Sequence, residues 1–156
     1  MNPALSMSRS IPAGIDAVWL AWTTEPGLAR WWWSTWPDTR YRVNAVVGGE
    51  YRIEAAEHGM GVRGVYRVVD RPGRLAFSWI WYDLADGVAS EEPADEVEVL
   101  FSAQPGGTLV ALTHTGPWTT ADAAENYRQG WTFVLDALER TTSGGEREGI
   151  SPWPRP

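Results

Sequence analysis

The sequence contains no cysteine. A disulfide scaffold, a thiolate metal site and a cysteine nucleophile are thereby excluded. Histidine is scarce: His58 and His114 are the two present, and no carboxylate stands at a metal-ligating spacing from either. Neither a metal nor another cofactor is therefore expected. Long apolar runs are missing too. No window approaches the roughly 18 apolar residues that span a bilayer. The opening MNPALSMSRSIPAGI has no basic segment followed by an apolar one, so no leader is read there and the cytoplasm is the expected location. Positive charge is in deficit, with 13 Lys+Arg against 20 Asp+Glu and a net charge of −7. That balance argues against nucleic acid or an anionic membrane as partner, since both are gripped through basic groups. No Ser-His-Asp order, G-x-S-x-G, G-x-G-x-x-G or phosphate-binding loop occurs.

What is abundant is tryptophan, eleven residues against three Phe. Trp has the largest apolar area of any side chain and one N–H donor. The excess fits either a bulky core or the lining of a cavity, and for the clustered residues a cavity lining is the preferred reading. The chain has 156 residues, the size of one domain. Residues 1–142 are read as that domain and 143–156 as a flexible tail rich in Gly, Pro and Glu.

Along the chain, residues 4–11 alternate as a strand. Pro12 and Gly14 end it. Asp16 is placed to cap a short helix to about Thr23, with Ile15, Val18, Trp19 and Trp22 at helical spacing. Pro26 opens a second short helix through Leu28, Ala29, Trp32 and Trp33, which Pro37-Asp38 breaks. The period then drops to two. Strands are expected at 39–46, 50–57, 60–69, 74–82, 95–103 and 108–115. Gly48-Gly49, His58-Gly59, Asp70 to Gly73 and Pro105 to Gly107 are the turns, and 83–94 is a polar, acidic loop. On 74–82, Leu75, Phe77, Trp79 and Trp81 share one face. A long helix follows at about 120–141, capped at Thr119 or Thr120 and stopped by Gly144-Gly145. Its apolar stripe is Tyr127, Trp131, Val134, Leu135 and Leu138, with Gly130 at the edge. The fold class is α+β: a seven-stranded antiparallel sheet curved around the C-terminal helix, with two short helices after the first strand.

Several short motifs stand in a definite order: Ala17-Val18-Trp19, Leu28-Ala29-Arg30-Trp31-Trp32, Gly48-Gly49-Glu50-Tyr51-Arg52, Gly64-Val65-Tyr66, and Arg74 through Trp79. Gly107 through His114 and Gly130-Trp131 complete the set. Over residues 4–141 this resembles the SRPBCC superfamily, the START and Bet v 1-like helix-grip domains. Within it, the sequence is similar to the branch named after the activator of the heat-shock protein 90 ATPase. The resemblance implies a ligand cavity between sheet and helix, and no particular reaction. Eukaryotic co-chaperones of that name carry an additional N-terminal domain for which this chain has no room, so chaperone stimulation is not expected.

With that fold, Phe77, Trp79, Trp81 and Trp131 are expected to line the cavity, joined by Trp32, Trp36, Tyr66, Phe101, His114 and Tyr127. In the run Trp31-Trp32-Trp33, at about 100° per helical residue, at least one indole should be exposed or lie at a rim. It would serve as a gate over the cavity mouth or as a contact to a dimer partner. His114 alternates with Val110 and Leu112. It reads as a hydrogen-bonded core histidine or, with Tyr66, as a candidate for proton transfer. His58 is expected to be exposed. Arg52, Arg63 and Arg67 read as outer-face ion-pair formers near Glu50 and Glu54, or as an inward anchor for an acidic ligand. The acidic run from Asp83 to Glu96 reads as a solvated loop or a lid.

Three functions are carried forward. The first is binding of a small hydrophobic, aromatic or polycyclic molecule, for transport, sequestration or self-resistance. The second is catalysis of the polyketide-cyclase or aromatase kind in the same cavity. The third is a protein-interaction or co-chaperone-like module using exposed Trp31, Trp33 or Trp118, with a homodimer possible.

Overall fold

The computed structural model of the chain describes residues 4–85, 88–91, 94–117 and 121–143. Alternating side chains make the strands. The elements run β1 (Ala4–Ile11), α1 (Ile15–Thr23), α2 (Glu25–Ala29), β2 (Thr39–Val43), β3 (Glu50–Ala55) and β4 (Met60–Asp70). They continue with β5 (Arg74–Ala85), β6 (Val88–Glu91), β7 (Asp95–Gln104), β8 (Gly107–Thr115) and α3 (Ala121–Ser143). Seven strands form one path in the order β1-β8-β7-β5-β4-β3-β2, every pairing antiparallel. The helix-grip architecture expected from the sequence is therefore the observed one.

Four local expectations are corrected. The stretch read as an acidic loop contributes a short strand, β6, that pairs with the end of β5. The cap of α1 is Gly14, without a side-chain bond, and Asp16 lies in the first turn. The hydroxyl that caps is Thr24, which accepts from Gly27 N at 3.0 Å and starts α2. Most consequentially, α2 ends at Ala29 and does not run to Trp33. The expected caps Thr119 and Thr120, the Gly144-Gly145 stop and the tail lie outside the described residues.

Helix α3 buries Trp131, Val134, Leu135 and Leu138 against the sheet, which is why its apolar stripe has a helical period. Its opposite side is tied down at the β1 edge. Arg9 Nη1 lies 2.6 Å from Asp136 Oδ1 and 3.2 Å from Glu139 Oε1. The outer face of the sheet carries the ion pairs. Arg67 reaches Glu96 at 3.0 Å and Arg74 reaches Glu98 at 2.6 Å. Arg52 lies on Glu54 and on the Tyr82 ring, and its Nε donates to the Tyr82 hydroxyl at 2.9 Å. At half exposure such pairs contribute at most about 1 kcal/mol each. Among the described residues, no helix is long and apolar enough to cross a membrane.

Candidate functional site

The early end of α2 decides where the tryptophans go. After Ala29 the chain leaves the helix, and at Trp33 it enters the left-handed region with φ 51°. A bulky residue rarely adopts that conformation. Here it ends the turn that Trp31 and Trp32 still continue by donating their backbone N–H groups to Leu28 O, at 3.1 and 2.8 Å, and the three consecutive indoles point three ways. Trp31, Trp32 and Trp33 are 1%, 5% and 7% exposed, so no member of the run is exposed. Trp31 packs on Trp22, with ring centroids 4.8 Å apart, and donates to Ala21 O at 2.9 Å. Trp32 turns inward to Trp131 and Trp79, at 5.1 and 5.8 Å. Trp33 turns toward Trp36 and Trp81, at 5.3 and 5.9 Å. Tyr41 fixes this loop from β2 by donating its hydroxyl to Trp32 O. His58, expected to be merely exposed, stacks on Trp36 at 3.8 Å.

The indoles interlock across the space between sheet and helix. Trp79 and Trp131 lie 5.2 Å apart, and Trp22 stacks on Trp131 at 6.0 Å. They leave two hollows. The inner one is about 20 Å³ and is bordered by Trp22, Trp32 and Trp79 together with Tyr51, Tyr66 and Phe77. That is room for one water molecule. The outer one is about 100 Å³ and lies between α3 and the sheet. Trp32, Trp33, Trp79 and Trp81 border it from one side, and Tyr127, Gly130 and Trp131 from α3. Trp32 and Trp79 belong to both walls. The wide chamber for a polycycle is thus corrected to a nearly filled interior, because indoles occupy the volume they were expected to surround. A larger groove of about 360 Å³ lies elsewhere, between α1, α2 and the end of α3, near Leu20, Arg30 and Thr141. Its only sequence signal is the run of small residues Ala17, Ala21 and Gly27.

Of the ten residues expected at the site, Trp32, Tyr66, Phe77, Trp79, Trp81, Tyr127 and Trp131 border one hollow or both. Trp36 stands behind Trp33, and Phe101 packs edge-on against Trp19 and Trp22. His114 lies behind the wall, 4.4 Å from the Tyr127 ring and 5.2 Å from Trp79. Neither hollow is bordered by these three residues.

His114 is fully buried and its ring nitrogens are occupied. Trp131 Nε1 donates to Nδ1 at 3.0 Å, and Nε2 lies 2.9 Å from Asp95 Oδ2. An indole N–H only donates, so Nδ1 must be the acceptor and the imidazole proton sits on Nε2, toward the carboxylate. Asp95 is the residue that sequence reading missed. It was counted with the solvated acidic loop, yet it opens β7 at 4% exposure. The available signal was its place two residues before Val97 on the inward parity of that strand. Burial lowers the His114 pKa below 6.5, with Asp95 opposing the shift. A second proton on Nδ1 would also point at the Trp131 N–H.

A stability prediction follows from this shift. The unfolded chain takes up the His114 proton more readily than the folded one. Its contribution is complete above pH 6.5, the ordinary histidine value, and is lost as pH falls below it. Melting temperature should therefore drop as pH falls below 6.5, and His114→Gln should flatten that segment. A wild-type profile with no slope in this window contradicts the assignment.

The polar inventory of the inner hollow is one-sided. Trp22 Nε1, Trp32 Nε1 and Trp79 Nε1 are buried, and no described residue accepts a hydrogen bond from them. Each such donor costs about 1–3 kcal/mol when left unmet. Tyr51 donates to Ser78 O at 2.7 Å, and burial holds the Tyr51 and Tyr66 hydroxyls protonated by raising their pKa.

A family model described as "Activator of Hsp90 ATPase homolog 1-like protein" matches residues 12–143. The chain belongs to that family. Solved structures agree with the assignment. The AHSA1-like protein from Aeromonas hydrophila is 29% identical, with TM-score 0.68, over 95% of this chain and 98% of that one. CalU16 from Micromonospora echinospora is 23% identical, with TM-score 0.68, over 93% of this chain and 77% of that one. DynU16, from the dynemicin biosynthetic locus, is 20% identical with TM-score 0.76, covering 94% of this chain. This chain spans about half of DynU16, 49% of its length. Among curated proteins none matches. Two features of this Hsp90-activator-like chain therefore stand out: the indoles that nearly fill the helix-grip interior, and the donors they leave unmet.

Proposed function

We propose that the chain binds a small aromatic molecule of about one ring in the outer hollow, as a carrier or sequestering protein and not as an enzyme. The observation that supports this is an apolar, indole-walled space that opens beside Gly130, where a Cβ would meet no atom within 4 Å. At about 100 Å³ it is of the order of the roughly 150 Å³ cavity that accepts one benzene ring. It lies well below the roughly 300 Å³ of sites for larger ligands. The catalytic alternative has less support. His114 and Asp95 form a titratable pair, but Trp131, Trp79 and Tyr127 stand close around His114, and its nitrogens are already bonded. The interaction-module reading loses Trp31 and Trp33, which are buried, and Trp118 lies outside the described residues.

The test is indole ¹H–¹⁵N spectroscopy with α-methylstyrene. The signals of Trp33, Trp79, Trp81 and Trp131 should shift saturably, with millimolar affinity or tighter. Gly130→Leu should fill the opening and weaken binding at least tenfold, while Gly130→Ala leaves it intact. Shifts that rise linearly without saturation, or that ignore Gly130→Leu, sink the proposal.

A further inference from the structure

We infer that the ligand of this site is a neutral carbonyl compound, an aryl ketone, aldehyde or quinone, whose oxygen is received by the indole N–H groups of Trp22, Trp32 and Trp79. The inference rests on the binding reading above and adds the polar half of the ligand.

Three residues that border one small hollow each carry a buried donor-only group, and no described residue accepts from them. Folded proteins leave few buried polar groups without a partner, and three around a single space mark a place built to be completed by something else. What completes it must accept. The charge of the acceptor is decided by the wall, which among the described residues carries no Arg, His or Lys. A carboxylate or other anion would sit there as an uncompensated buried charge, which is far more costly than a neutral acceptor. The protonated Tyr51 and Tyr66 hydroxyls on the same wall do not change that balance. An alcohol brings a donor of its own into a site already in excess of donors. A carbonyl oxygen brings two lone pairs and no hydrogen, and it projects from a flat ring.

The geometry fits such a molecule in size and direction. The inner hollow, about 20 Å³, takes a single oxygen atom, and the outer one, about 100 Å³, takes the ring. Trp32 and Trp79 border both, so a ring held in the outer space lies against two of the three residues that carry the donors.

Acetophenone and α-methylstyrene differ only in C=O against C=CH₂ and have nearly the same shape. Titrating the full chain with each, followed by indole ¹H–¹⁵N spectra assigned through single Trp→Phe variants, separates the two claims. Acetophenone should bind about tenfold tighter or more. It should move the Trp22, Trp32 and Trp79 N–H signals downfield as they gain an acceptor, whereas α-methylstyrene, which shifts Trp79 by ring contact alone, should give no such downfield displacement. Trp79→Phe keeps a ring but removes one donor, and should erase most of the preference; Trp22→Phe serves the same purpose should that variant not fold. Equal affinity for both probes overturns the carbonyl inference and leaves the hydrophobic site standing. Binding of neither overturns both. Indole signals that show persistent contact with a bound water and stay fixed as acetophenone saturates also overturn it.

Discussion

Trp131→Ala should lower the unfolding free energy by about 4 kcal/mol or more, read from urea denaturation at neutral pH. Two losses combine. Truncating a large buried aromatic costs about 3–5 kcal/mol, because neighbours close only part of the space. Trp131 is 2% exposed and meets Trp22, Trp32 and Trp79, rings held by three different elements, so collapse around it is limited. The second loss is the donor that His114 Nδ1 accepts from. Trp131→Phe separates the terms. It keeps a six-membered ring in place of the indole and removes the N–H with part of the ring volume, so it should cost less than the alanine variant, about 1–3 kcal/mol. It should also weaken the drop in stability below pH 6.5, since protonated Nδ1 no longer faces an indole hydrogen. An alanine variant within about 1 kcal/mol of wild type would mean that the indole lattice is not what holds α3 on the sheet.

The second large effect is at Gly64. A Cβ there would lie 2.0 Å from Ser78 O and 2.8 Å from a Tyr51 ring carbon. Ser78 O is also the acceptor of the Tyr51 hydroxyl, and Ser78 Oγ accepts from Val65 N at 2.9 Å. No rotamer relieves a clash with a backbone carbonyl, so β4 and β5 must move apart and the inner wall of the site with them. Gly64→Ala should cost about 3 kcal/mol, the upper end for overpacking. Gly130→Ala is the control. It lies within α3, meets nothing within 4 Å, and should instead stabilise by about 0.5–1 kcal/mol through helix propensity. Opposite signs for one chemical change, measured by the same urea midpoints, are the expected result. A neutral Gly64→Ala would contradict the close strand approach.

The strands, their order and α3 were legible because periodicity records burial directly. Leu75, Phe77 and Trp79 on β5 and Trp131, Leu135 and Leu138 on α3 are buried as their spacing requires. Tight turns joined the strands as neighbours, so the meander needed little beyond local chemistry. The Trp run shows where such reasoning stops. Helical spacing was carried past the end of α2, and the left-handed Trp33 that ends the turn has no local signature. Asp95 was misplaced for a related reason. Its acidic neighbours argued for solvent, whereas its partner His114 comes from a strand 19 residues away.

What the sequence by itself determined is the framework: a sheet closed by one helix, an interior rich in indoles, and a resemblance to the family carried by the order of its motifs. Only the tertiary structure decided how full that interior is. Eleven tryptophans are equally compatible with a wide chamber and with a packed lattice, since both bury the same apolar area. The difference lies in side-chain directions set by one turn after α2 and by contacts between residues distant in the chain. Those same contacts left the indole donors of three residues that border one hollow without an acceptor among the described residues, a fact of geometry that no pattern of residues encodes.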